Sequence, residues 1–294
     1  MSKGIVFSVL SSTLFAVLYF YSTLLAPLDG EEIFGWRTLL TLPFLTIFIW
    51  TCGRQQLIRT LVQRIRHQPL LLIGALATSA LLGIQLWLFM WAPLHGRALH
   101  VSLGYFLLPL TMLLTGRIVY QDRLSMPQKM AALCAACGVA NELIQAGSFS
   151  WETLVVALGY PLYFVLRRRL NANNLGGLWL DMTLLLPVGA WFIYAGNVGV
   201  TALGGYPLLY LLVPLLGVLS ACALIFYMVA SQILSLSLFG LLGYVEPVLL
   251  VLVALLLGES IKAHEWLTYI PIWIAVCLLA AEGAATLYKT RSAR

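Results

Sequence analysis

The chain has 294 residues, 61% of them hydrophobic and 10% charged, and its mean hydropathy is +0.94. Soluble domains average about 45–50% apolar and about 25% charged residues, so this composition excludes a water-coated particle, and with it disorder, collagen and a disulfide scaffold. The medium it fits is a bilayer, within which the formal net charge of +6 has to be explained.

A hydrocarbon core about 30 Å thick takes roughly 20 helical residues per crossing. Pro, Gly and charge clusters divide the chain into ten apolar stretches, near 4–25, 32–51, 69–92, 98–119, 127–146, 150–168, 175–195, 207–230, 233–257 and 264–286. None alternates with a period of two, which argues against a β-barrel. The first stretch is longer than a signal-peptide core and no small-residue cleavage site follows it, so it reads as an uncleaved span.

Lys and Arg set the orientation. With both termini cytoplasmic, the inner side collects Lys3, Arg54, Arg59, Arg64, Arg66, Arg117, Arg123, Lys129, Arg167, Arg168, Arg169, Lys289, Arg291 and Arg294, fourteen of the 17 basic residues. Arg97 and Lys262 lie outside with the acidic cluster Asp29, Glu31 and Glu32. The basic excess is therefore an orientation signal and not a nucleic-acid surface. Cys52, Cys134, Cys137, Cys222 and Cys277 fall mostly in apolar runs and read as small packing residues, the CxxC spacing of Cys134 and Cys137 included.

The two halves echo each other. The segment from Gly104, GYFLLPLTMLLTGRIVYQDRLSMPQ, resembles that from Gly243, GYVEPVLLVLVALLLGESIKAHE. Pro109 and Asp122 in one match Pro247 and Glu259 in the other. Five spans per half force the second copy upside down. The loop charges agree, because Arg117, Arg123 and Lys129 follow the fourth span whereas Lys262 stands against Glu259 and Glu265 after the ninth. The expectation is an all-α polytopic membrane protein of ten transmembrane helices in two inverted five-helix repeats, 1–148 and 149–288, with a basic cytoplasmic tail 289–294. Inverted repeats are a common build of secondary transporters, with the solute site near the midplane.

Particular segments carry a family resemblance. They are Glu32-Ile-Phe-Gly-Trp-Arg37, Trp87-Leu-Phe-Met-Trp91-Ala, Ser102-Leu-Gly-Tyr-Phe-Leu-Leu-Pro109-Leu, Tyr163-Phe-Val-Leu-Arg-Arg-Arg169 and Pro247 followed by Gly258-Glu259. In these the chain resembles the EamA-type drug/metabolite transporters, and among them the RarD-like branch. The resemblance implies ten helices in two inverted repeats and movement of a small metabolite or drug without ATP. No Walker A sequence contradicts that. One departure is Gln121-Asp122, where such proteins usually carry Gly-Glu.

Charges inside a span cost roughly 2.5–3.5 kcal/mol on insertion scales, so each needs a reason. Arg37 lies about five residues into the second span and Asp181 about six into the seventh, entering from opposite faces. The remaining separation, roughly 13 Å along the membrane normal, is too long for a direct pair and suits the two sides of a midplane cavity. Glu246 falls near the middle of the ninth span, before the helix-loosening Pro247. Trp87, Trp91, Tyr105 and Tyr244 can offer an apolar face with one donor to a small organic solute.

Arg37 would hold an anionic group, Asp181 or Glu246 an amine or a coupling proton, and the aromatics the organic body. Each has a purely structural alternative: Arg37 paired with Glu32 or Glu246, the aromatics packed in the core or against lipid. Glu142 and Glu282, near span ends, read as reaching headgroups. His67, His95, His100 and His264 have no metal-ligand spacing, and no cofactor is expected.

The function expected is a secondary-active transporter of a small metabolite, amino-acid-like or drug-like solute across the bacterial inner membrane, working by alternating access. A channel or a non-transporting regulatory membrane protein is the alternative, and a catalytic cluster for a membrane enzyme is not found. The expected partners are the solute, the lipid bilayer and no nucleic acid, with a coupling proton and a homodimer left open.

Overall fold

A computed structural model describes residues 2–94, 98–146, 150–196, 206–256 and 266–292. Among them all regular structure is helical. Lipid offers no partner to backbone N–H and C=O groups, so a spanning segment must satisfy them within itself. The helices, one excepted, fall where the apolar stretches are: α1 (Ser2–Ser22, extended by a 3₁₀ turn Thr23–Leu25), α2 (Gly30–Thr51), α3 (Gln56–His67, the exception), α4 (Leu70–Leu94), α5 (Ala98–Val119) and α6 (Met126–Ala146). Then come α7 (Trp151–Arg169), α8 (Leu175–Ala195), α9 (Leu209–Ile233), α10 (Leu236–Leu242), α11 (Val245–Leu256) and α12 (Trp266–Ser292). By length and composition, Lys3–Leu25, Gly30–Thr51, Leu70–Ala92, Leu175–Ala195 and Leu209–Ile233 are long and apolar enough to cross a membrane. Arg97, Gly258, Glu259, Lys262, Glu265 and Arg294, used above for repeat and orientation, and His95 and His264 lie outside the described residues.

Two readings of the sequence change. Residues 51–69, taken as a basic loop, contain α3, a short helix with an apolar stripe. The ninth stretch is two helices rather than one, broken at Gly243–Tyr244. Ser235 starts the first of them by accepting from Leu238 N (3.3 Å). A Cβ on Gly243 would stand 2.8 Å from Gly240 O, so the chain turns there at close quarters. Pro247 then sits in the first turn of α11, where its missing N–H costs little. Glu246 is thereby placed in the first turn of α11, next to the break.

The chain divides into two compact units. One holds Val17–Ala98 and Leu162–Val229; the other holds Met1–Ala16, Leu99–Pro161 and Ala230–Arg294. In the first, α2 packs along α8, with α4 against both and α3 across α8 and α4. Small residues let the α2 and α8 backbones approach: a Cβ on Gly35 would lie 2.6 Å from Gly189 O. Trp179 Nε1 donates across the same seam to Thr46 Oγ1 (2.9 Å). In the second unit α6 packs along α12, and a Cβ on Gly138 would lie 2.6 Å from Thr268 O. Outward faces are apolar, with Ile73, Leu133, Ile144, Trp191 and Leu267 all exposed, as lipid-facing surfaces require. The buried side carries Glu32, Arg37, Gln85 and Asp181.

The Gly35 contact is testable. Gly189 O is backbone and cannot swing aside, so Gly35→Val forces α2 and α8 apart. A loss of about 1–3 kcal/mol is expected, read as a lower melting temperature of the detergent-purified protein. Ile73→Val, on an exposed face, leaves that temperature unchanged.

Candidate functional site

Among the described residues a dense polar arrangement surrounds Asp181, in the unit that contains α2, α4 and α8. Asn174 caps α8, its side chain accepting from Gly177 N (3.1 Å), and the next two turns carry Asp181 into the bundle. Its Oδ1 accepts from Thr78 Oγ1 of α4 (2.8 Å). Its Oδ2 accepts from Tyr163 OH of α7 (3.0 Å) and lies 3.5 Å from Arg167 Nη1. Its backbone carbonyl accepts from Ser79 Oγ (3.0 Å).

Arg167, buried like Asp181, donates through Nη2 to Asn174 O (2.9 Å) and stands 5.6 Å from the centre of the Tyr163 ring. Gly177 is required beneath it, because a Cβ there would overlap Arg167 Nη1. The cavity beside the pair, lined by Leu61, Ile65, Thr78 and Leu180 among others, measures about 10 Å³, room for about one water.

In the sequence Arg167 counts with Arg168 and Arg169 among the inner-side basic residues, at the end of the sixth stretch; the structure buries it. The desolvated carboxylate of Asp181 draws it inward, and a buried charge without a partner is the costlier alternative. The available signal was the four-residue spacing of Tyr163 and Arg167, which puts phenol and guanidinium on one helix face. Thr78, 103 positions from Asp181, left no such trace.

Arg37 forms a second buried polar position in this unit, 2% exposed. Its Nε donates to Ser220 Oγ of α9 (2.9 Å), and its carbonyl accepts from Thr41 Oγ1 (2.6 Å). At the start of α2, Asp29 Oδ1 accepts from Glu31 N and Glu32 N, while Glu32 Oε2 accepts from Asp29 N (3.0 Å). Glu32 is wholly buried in this reciprocal cap. Trp87 and Trp91, one turn apart on α4, have ring centres 5.0 Å apart at 32°. The Trp87 Nε1–H is buried and has no acceptor among the described residues.

Tyr105, Tyr244 and Glu246 belong to the other unit. Tyr244 is fully buried, and its hydroxyl donates to Phe106 O (3.1 Å), which ties the break between α10 and α11 to α5. Tyr105 and Glu246 are half-buried. Asp122 holds the start of α10, its Oδ2 accepting from Ser237 N (2.9 Å) in the first turn. Gln121 before it has φ +55°, a conformation that glycine adopts at no cost. Glu142 and Glu282 turn to a neighbouring helix rather than to headgroups. Glu142 accepts from Thr268 Oγ1 (2.9 Å), and Glu282 accepts from Gln128 Nε2 (3.2 Å).

No model of a protein family matches the chain. Individual relatives do. A Pasteurella multocida protein named an uncharacterized transporter is 43% identical over 98% of this chain and 99% of its own. The chloramphenicol-sensitive protein RarD of Pseudomonas aeruginosa is 41% identical over 98% and 96%. The chain belongs to the RarD family. The Escherichia coli protein RarD, 26% identical over 98% of this chain and 97% of its own, is a more distant relative. A solved crystal structure aligns with 99% of both chains at a TM-score of 0.61 and 18% identity, a likeness of fold. Together with the apolar helices, the RarD-family relatives make this a multi-pass membrane protein of transporter type.

The Arg167–Asp181 pair yields a double-mutant test. Arg167→Met leaves the Asp181 carboxylate buried without its cation, a loss of about 3–5 kcal/mol. Combining it with Asp181→Leu removes both charges, and the double variant melts above the single one. Melting curves of the four proteins in one detergent check this; equal losses in the single and double variants would contradict it.

Proposed function

We propose that this RarD-family protein is a secondary-active transporter, carrying a small metabolite, amino-acid-like or drug-like solute across the bacterial inner membrane by alternating access. In this reading ten spans form two inverted repeats, 1–148 and 149–288, with cytoplasmic termini and the basic tail 289–294.

The observation that carries the reading is a reciprocal exchange of contacts. Glu142 of α6 bonds Thr268 of α12, and Glu282 of α12 bonds Gln128 of α6. Glu142 and Glu282 are 140 positions apart, and so are Gln128 and Thr268, so exchanging the repeats turns one contact into the other. The α2–α8 seam supports the same symmetry. Arg37 and Asp181 each stand six residues before an internal proline, Pro43 and Pro187. Arg37 reaches from α2 to α9, and Asp181 reaches from α8 to α4, which is the same exchange of second with seventh and third with eighth stretch. Secondary transporters are built on such symmetry, because two related arrangements of the copies open the solute site to opposite sides.

Two buried charges of opposite sign, each held across a helix seam by hydroxyls, provide exchangeable partners for a solute. Arg37 accepts an anionic group in place of Ser220. Both oxygens of Asp181 are engaged in the described state, so an amine or a coupling proton reaches it only when Thr78 and Tyr163 turn away. Glu246 is the second such acid. Trp87, Trp91, Tyr105 and Tyr244 contribute apolar surface, and the buried N–H of Trp87, without an acceptor among the described residues, is a donor for the solute.

Chloramphenicol, the compound in the name of one relative, is the first probe, followed by amino acids and nucleosides, each scored by its rise in melting temperature. A stabilising compound, radiolabelled, then enters proteoliposomes with saturable kinetics. Arg37→Ala lowers that uptake by about tenfold or more and keeps the elution profile of the folded protein, whereas full retained uptake removes Arg37 from the site. A conductance that does not saturate would replace the carrier with a pore.

A further inference from the structure

Helix α3 carries exposed arginines that have no part in the proposed transport. Its twelve residues span about 18 Å, too short to cross a membrane. The helices on either side, α2 ending at Thr51 and α4 starting at Leu70, are both long and apolar enough to cross. Connectivity therefore confines α3 to one membrane surface.

Its sequence suits that position. At 100° per residue, Leu57, Ile58, Leu61, Val62 and Ile65 cover an arc of about 140°, and all are partly buried. Arginines flank this stripe on both sides. On one flank Arg64 donates to Leu170 O (3.0 Å) and Asn171 O (3.4 Å) at the end of α7, which turns that flank toward the protein. A Cβ on Gly176 would lie 2.8 Å from the Leu57 carbonyl carbon, so α3 also rests directly on the start of α8. The opposite flank carries Arg59 and Arg66, both exposed, with exposed Arg54 just before the helix.

Among the described residues these three charges lack acidic neighbours. No Asp or Glu occurs between Glu32 and Asp122 in the sequence. Of the helices packed against α3, α4 carries no acid, and Asp181 of α8 is buried against Arg167. What remains is an apolar stripe seated on the protein and the membrane boundary, edged by uncompensated guanidinium groups whose planar forks suit phosphate oxygens.

We propose that α3 binds the headgroups of anionic phospholipids through Arg54, Arg59 and Arg66, as basic clusters beside a span do. Lipid is the occupant the geometry favours, because the same residues are fixed at headgroup height by the spans on both sides. The site does not depend on the transport reading.

The test reconstitutes the full chain in nanodiscs of phosphatidylcholine, with and without phosphatidylglycerol, and reads the melting temperature and the lipid adducts retained in native mass spectrometry. Phosphatidylglycerol raises the melting temperature of the wild-type protein and leaves bound adducts. The variant Arg54→Gln/Arg59→Gln/Arg66→Gln loses both effects, and Arg54→Lys/Arg59→Lys/Arg66→Lys retains most of them. A variant with the same loss of charge elsewhere, Arg123→Gln/Lys129→Gln/Arg169→Gln, behaves as wild type. The proposal is overturned if phosphatidylglycerol leaves the wild-type protein unchanged, if the α3 glutamine variant keeps the full effect, or if the control variant loses as much.

Discussion

Low-dielectric surroundings make an isolated charge so costly that every ionised group between lipid-facing helices must find its partners inside the protein. Asp181 shows what this demands. A hydroxyl from α4, a phenol and a guanidinium from α7 and the cap of α8 all converge on one carboxylate and its cation. These elements come from distant parts of the sequence, so satisfying one charge fixes the mutual position of three helices. Glycine at 177 is a consequence, since the guanidinium occupies the space a side chain would need.

Seen this way, polar burial organises the unit as much as apolar packing does. Lipid tails are as apolar as leucine, so apolar side chains alone do not choose which helix faces which. The choice is made by close backbone approaches, such as Gly35 against Gly189, and by directional bonds such as Trp179 to Thr46 and Arg37 to Ser220. In the proposed transport those bonds would also be the points of exchange with a solute, because hydroxyl partners can be replaced without leaving a charge bare. On that proposal structural and functional roles fall on the same residues.

The membrane surface imposes a different economy. Arg167 and Arg64 count alike among the inner-side basic residues of the sequence, yet one is drawn into the core and the other holds the end of α7. Arg54, Arg59 and Arg66 keep their charge exposed, where the proposed lipid headgroups would meet it. A count of basic residues cannot separate these fates, since each depends on whether a carboxylate, a helix-terminal carbonyl or a phosphate is within reach.

The helix positions were legible in the amino-acid sequence. A lipid-facing backbone must satisfy itself, so an apolar run bounded by Pro, Gly or charge leaves little freedom other than helix, and α2, α4, α6 and α8 begin and end within about two residues of their stretches. The likeness to the RarD family was equally visible, and so were Arg37 and Asp181 as charges needing a reason. The partners of those charges were not: Thr78 and Ser220 are ordinary hydroxyls in apolar runs, 103 and 183 positions from the residues they bind. Nor was the break at Gly243, which follows from close packing, nor α3, whose stripe is obscured by its arginines. Composition and periodicity are local and survive in one dimension. Which side chain answers which charge is decided only when the helices meet, because hydrogen bonds act over about 3 Å and are indifferent to distance along the chain.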